Sequence, residues 1–119
     1  MADAARLAEI GELISTMWDR RDLAAVEALY ADDARFVSPN PPQLSADFGT
    51  ELVGRAEIMR YYGAVLEVVP PGAVDTVAVA AGIDVVTWVW KAGADIGTDT
   101  MLVDGDGRIS LQYVAMPLA

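Results

Sequence analysis

The chain has 119 residues, 54% hydrophobic and 22% charged, with a net charge of -10 and neither cysteine nor histidine. That balance describes a globular chain with apolar side chains enough for one core. The acid excess excludes the basic footprint that nucleic acids and anionic membranes need. The two missing residue types exclude disulfides, thiol nucleophiles, Ser-His-Asp triads and Cys- or His-ligated metals.

No apolar run approaches the ~18 residues of a membrane span. Asp3, Arg6, Glu9 and Glu12 interrupt any signal-peptide core near the N-terminus. The expectations are one domain over residues 1–119, a cytoplasmic location, no metal and no cofactor. Acid–base chemistry is left to Asp, Glu, Tyr, Lys and Arg.

Residues 3–20 predict an amphipathic helix. Leu7, Ile10, Leu13, Ile14, Met17 and Trp18 recur at three- and four-residue spacings, and Asp3 supplies the N-cap. Asp22 caps a second, short helix with Leu23, Val26, Leu29 and Tyr30 on one face, closed by Ala31-Asp32-Asp33. Residues 35–38 read as a short strand that Pro39-Asn40-Pro41-Pro42 ends. The irregular stretch to Gly49 is either the mouth of a site or a surface crossover. A third helix opens at Gly54 and Glu57. It carries Ile58, Tyr61, Tyr62, Val65, Leu66 and Val69, and stops at Pro70-Pro71-Gly72.

The remainder is β. Residues 74–81 form a weak strand and residues 84–91 a strong one. In the strong strand Val86, Trp88 and Trp90 share one face and Val85, Thr87 and Val89 the other. In the next strand Gly97, Asp99, Met101 and Val103 share a face. Asp99 thus sits in the middle of an apolar row, where a carboxylate is costly unless paired, hydrogen-bonded or protonated. Either a twist brings it to water, or it is an acid in a cavity wall. Asp104-Gly105-Asp106-Gly107 is a hairpin turn. Residues 109–116 form the last strand, with Gln112, Val114 and Met116 opposite in face to Ile109, Leu111 and Tyr113. Helices followed by antiparallel strands mean α+β, with the helices over one face of a curved sheet.

Trp18, Val86, Trp88, Met101, Val114 and Met116 fall on inner faces, with Gln112 as their polar neighbour and Ser38 near the mouth. Each singly is ordinary core or turn chemistry. As a group they make an apolar pocket for a small hydrophobic molecule. The outer face offers Val85, Val89, Leu102, Ile109, Leu111 and Tyr113, which predicts a homodimer through the outer sheet face.

Three pieces carry a family resemblance: Tyr30-Ala31-Asp32-Asp33-Ala34, Gly54-Arg55-Ala56-Glu57-Ile58 with Tyr61-Tyr62, and the run from Asp99 to Ile109. Together they resemble the ketosteroid isomerase-like branch of the NTF2-like, SnoaL-like superfamily, over nearly the whole chain. The resemblance implies a cone-shaped, cystatin-like α+β fold. Three N-terminal helices would pack on a curved, mostly antiparallel sheet with an apolar pocket at the open end. It implies that Asp99 is the protonated oxyanion-hole aspartate of that family. Tyr30 and Tyr62 correspond to supporting tyrosines, so Asp99, Tyr62 and Tyr30 are the implied catalytic set. Two positions depart from the pattern. Ser38 stands where the general-base aspartate belongs, and Ile14 where the main oxyanion tyrosine belongs. Serine is a poor base without a partner, and isoleucine donates nothing.

The implied function is an isomerase, cyclase or lyase acting on a small hydrophobic carbonyl compound, steroid- or polyketide-like, with Asp99 as acid or hydrogen-bond donor. The departures weigh against ketosteroid isomerisation itself. The alternatives are a non-catalytic binder of small apolar ligands and a dimeric scaffold module. Apolar surroundings predict that Asp99 is partly protonated near neutral pH, and that Asp99→Asn costs little stability.

Overall fold

The structure is a computed structural model that describes residues 2–117. Helix α1 (Ala4–Arg20) starts where the Asp3 carboxylate accepts from the Arg6 backbone N–H at 2.8 Å, the N-cap its sequence predicts. Its inner face buries Leu7, Ile10, Ile14 and Met17. Helix α2 (Leu23–Glu27) is capped by Asp22 in the same way. Strand β1 (Tyr30–Val37), helix α3 (Pro41–Leu44), strand β2 (Glu51–Val53) and helix α4 (Arg55–Val68) follow. Strands β3 (Asp75–Gly82), β4 (Val85–Ala92), β5 (Asp95–Val103) and β6 (Ile109–Ala115) complete the chain.

The six strands form one curved sheet in the order β2-β1-β6-β5-β4-β3. Among the described residues only the β1–β6 pair is parallel. Helix α1 packs on β3 and β4, and α4 packs on β1 and β2, so the helices cover one sheet face and the core lies between. Strand register places side chains in rows across that face. Phe36, Gln112, Met101 and Val86 form one inward row. Val114, Asp99, Trp88 and Val79 form the next. Asp99 is therefore one row from the centre of the core.

Three expectations are corrected. Among the described residues there are four helices rather than three. The strand does end before Pro39, but the stretch expected to be irregular up to Gly49 holds α3, which Pro41 and Pro42 open because the first helical positions need no N–H and proline presets φ there. Tyr30 begins β1 rather than closing α2. The Ile109 N–H donates to the Leu29 carbonyl at 2.7 Å, and Tyr30 pairs with Ile109 in the parallel ladder. That long-range pairing overrides the helical spacing of Leu29 and Tyr30. Ile109 does not join the outer face. The β5–β6 register shifts between Leu102 and Val103, and a one-residue shift turns a side chain over. Ile109 is fully buried on the core side.

Among the described residues no helix is long and apolar enough to cross a membrane.

Candidate functional site

Arg21 holds the open end of the core together. It ends α1 in the left-handed region, at φ 58°. Its guanidinium donates to the carbonyls of Trp18 (3.2 Å), Val69 (3.0 Å) and Leu66. The C-terminal ends of α1 and α4 are thereby joined, one across from the other. Between them and the inner sheet face lies a cavity of about 340 Å³. Its walls are largely aromatic, built from Trp18, Phe36, Tyr61, Tyr62, Trp88 and Trp90. Val65, Val69 and Val74 add aliphatic surface, and Asn40, Gln43 and Leu44 from the α3 segment also line it. The long segment after β1 thus contributes to the cavity wall.

Asp99 is the buried acid of this wall, 7% exposed. Its Oδ1 accepts from the Trp90 indole Nε1 at 2.8 Å, and its Oδ2 accepts from Gln112 Nε2 at 2.7 Å. Both donors are neutral. Behind Gln112 the bonds run in one direction. Tyr30 OH donates to Gln112 Oε1 at 2.5 Å. Tyr62 OH lies 2.8 Å from Tyr30 OH and accepts from Gln112 Nε2 at 3.2 Å. With its oxygen held by Tyr30, the Gln112 amide can present only its NH2 end to Asp99. Gly97 makes room for the other donor. It lies directly across from Trp90, and a Cβ added there would come within 2.3 Å of the indole Cζ2.

Burial raises the Asp99 pKa from 3.8 to about 6, while the Trp90 and Gln112 bonds pull it down. About one molecule in ten then carries the proton at pH 7. The surroundings of Asp99 are not wholly apolar, because Trp90 and Gln112 both donate to it. Burial also lifts the phenols of Tyr30 and Tyr62 above their usual range. Burial first, and then the charge of Asp99, pushes Tyr61 up to about 12. All three are neutral hydroxyls at pH 7.

Six of the residues expected at the site line the cavity: Asp99, Tyr62, Trp18, Trp88, Val114 and Met116. Tyr30 and Gln112 do not. They sit behind the wall and reach the cavity through Asp99. Val86 and Met101 are fully buried in the core row beneath it. Ser38 is 2% exposed and is absent from the lining. Its Oγ accepts from the Asn40 N–H at 3.0 Å in a turn that ends β1. Ile14 is core. Sequence reasoning missed Trp90, Tyr61 and Phe36. Trp90 was legible in part, since it alternates with Trp88 and faces a glycine. Asp95 also lines the cavity, from an exposed position at the start of β5. The Trp18 indole Nε1 is buried and meets no acceptor among the described residues. Among those residues no cluster of acidic side chains has the convergence a metal site needs.

The family of SnoaL-like domains matches residues 11–116. The chain belongs to that family. Solved structures agree on the fold. A SnoaL-like protein of unknown function from Burkholderia thailandensis superposes with a TM-score of 0.81 at 20% identity, over 99% of this chain and 100% of that one. A candidate ketosteroid isomerase from Kribbella flavida gives 0.68 at 22% identity, over 100% and 83%. An NTF2-like protein of unknown function from Mesorhizobium loti gives 0.74 at 21% identity, over 99% and 98%. No curated protein matches the sequence. This SnoaL-like domain therefore has the NTF2-like, cystatin-like α+β fold. At such identities the likeness extends to the fold and leaves the chemistry to the site.

Proposed function

We propose that this SnoaL-like domain is a small-molecule enzyme of the isomerase, cyclase or lyase type, with Asp99 as the group that gives or takes the proton. The observation that carries the reading is a carboxyl raised to about 6 in the wall of an aromatic cavity. A group poised near the working pH is what acid–base catalysis needs. Tyr30 and Tyr62 act on it through Gln112, and Trp18, Trp88, Val114 and Met116 contact the ligand. The largely apolar, aromatic lining of the cavity supports a steroid- or polyketide-like carbonyl compound as substrate. The whole chain works as one domain, in the cytoplasm.

Solvent-deuterium exchange into a set of cyclic β,γ-unsaturated ketones, followed by NMR, tests the reading. Exchange is expected with the wild type and not with Asp99→Ala. Exchange that survives in the variant removes Asp99 from the chemistry. Ketosteroid isomerisation itself should be very weak. Ser38 lies outside the cavity with its hydroxyl engaged, and Ile14 in the core offers no donor. Turnover of a 5-ene-3-ketosteroid at the rate of a dedicated isomerase would falsify that expectation. The same two positions favour a second reading, a non-catalytic binder. Tight binding of these ketones without exchange would establish it.

The sheet face opposite the helices supports a homodimer. Leu102 and Tyr113 are exposed there, beside half-buried Val85, Val89 and Leu111. Apolar patches of that kind are usually covered. Sedimentation equilibrium at high micromolar concentration is expected to give a dimer. A species of 12.7 kDa would rule it out.

A further inference from the structure

We infer that the ligand of this cavity carries a cationic nitrogen, an ammonium group on a flat apolar frame, held between Asp99 and the aromatic walls. The inference rests on the cavity being the ligand site and adds the charge of what fills it. Three observations carry it.

The first is the missing counter-charge. Asp99 is buried, and both its oxygens are met by neutral N–H donors. A buried carboxylate is normally paired. Yet among the described residues no lysine or arginine lines the cavity. The cations are engaged elsewhere. Arg6, Arg20, Arg35, Arg55 and Arg60 pair with Glu9, Glu12, Glu51, Asp32 and Glu57. Arg21 is spent on backbone carbonyls. Lys91 alternates away from the inward face and is exposed, as is Arg108.

The second observation is the wall. Three indoles, two phenol rings and one phenyl ring line one space. The π-face of such rings attracts cations, tryptophan most strongly, and the attraction grows where water is excluded. The third is the rim. Asp95 lies on the same inward alternation of β5 as Asp99, four residues nearer the strand start, and also faces the cavity. The titratable groups around Asp99 are thus Tyr30, Tyr61 and Tyr62, which stay neutral, and Asp95, which adds a second negative charge. Such a field draws cations inward and turns anions away.

Isothermal titration calorimetry at pH 7.5 with three probes on one ring system tests this. The probes are (2-naphthylmethyl)trimethylammonium, 2-naphthol and 2-naphthoate. The cation is expected to bind at least tenfold more tightly than 2-naphthol, and 2-naphthoate most weakly. Asp99→Asn should weaken the cation tenfold or more, and exposed Asp95→Asn should weaken it by a smaller factor. If Asp99→Asn does not fold, the cation-to-naphthol ratio of the wild type decides alone. A wild type that binds 2-naphthol as tightly as the cation overturns the inference and leaves the cavity as a ligand site. A protein that binds none of the three overturns both.

Discussion

Asp99→Asn will flatten the pH dependence of stability between about pH 4 and pH 7. In the native protein the Asp99 carboxyl is raised from 3.8 to about 6, chiefly by burial. The unfolded chain therefore gives up this proton first. Stability from this group is fully present below the unfolded value, and is lost as pH rises through the folded one. The gap corresponds to about 3 kcal/mol. The difference in stability between wild type and Asp99→Asn should therefore move by about that amount, against the wild type, on going from pH 3.5 to pH 7.5. Urea unfolding at a series of pH values reads it, with an unchanged m-value as the sign that only stability has moved. The absolute cost of the substitution at pH 7 has two opposed parts. Removing a buried charge is favourable. But both carboxyl oxygens accept, and Gln112 is locked by Tyr30. One donor must then face the asparagine NH2, at a cost of about 1–3 kcal/mol. That mismatch is why the substitution is not the simple relief that an all-apolar environment predicts. Curves for the two proteins that run parallel with pH would mean that Asp99 titrates like an exposed aspartate.

The geometry behind that result was readable from the sequence only along one dimension. Period-two alternation puts Asp99, Trp88, Trp90 and Gln112 on inward faces, and all four are inward. It says nothing about which residues stand diagonal to one another. Trp90 is opposite Gly97 and Gln112 opposite Met101, so both donors reach Asp99 from one step up or down a neighbouring strand. Diagonal neighbours at ~7–8 Å are in range only for long side chains. An indole and a glutamine amide are long enough, whereas Val114, directly opposite Asp99, has nothing to donate. The β1–β6 pair was hidden for a different reason. Tyr30 and Ile109 are far apart in sequence, and a parallel ladder leaves no turn signal between its strands. Helical spacing alone assigns Leu29 and Tyr30 to the second helix, whereas the long-range ladder places Tyr30 in β1. Likewise the bulge that buries Ile109 is a register event, invisible to alternation. The caps at Asp3 and Asp22 were legible because they depend on neighbours three residues away.

Gly97→Ala should be the most damaging single methyl group in this domain. Glycine is needed here for space, not for backbone freedom. The added Cβ would lie 2.3 Å from Cζ2, 2.5 Å from Cη2 and 2.8 Å from Cε2 of Trp90. Those atoms belong to a rigid ring that is 8% exposed, so the ring must swing away as a body. Overpacking of this kind costs about 1–3 kcal/mol. The swing also breaks the 2.8 Å bond from the indole to Asp99, and hydrogen bonds to charged groups contribute about 1.5–3 kcal/mol each. A loss of about 3 kcal/mol or more is expected, or a fall in Tm of more than about 10 °C for a chain of this size. The Asp99 carboxyl should at the same time titrate higher, because the Trp90 bond is the larger of the two that hold its pKa down. A carboxyl-carbon NMR titration reads that shift. Trp90→Phe separates steric from electrostatic effects, since phenylalanine lacks both the N–H and the far edge of the indole. It should raise the Asp99 pKa without any clash. Adding Gly97→Ala to it should then cost far less than Gly97→Ala alone, a coupling that a double-mutant cycle measures directly. Equal costs in the two backgrounds would show that the indole edge is not what Gly97 accommodates, and that Trp90 takes its place against Asp99 for some other reason.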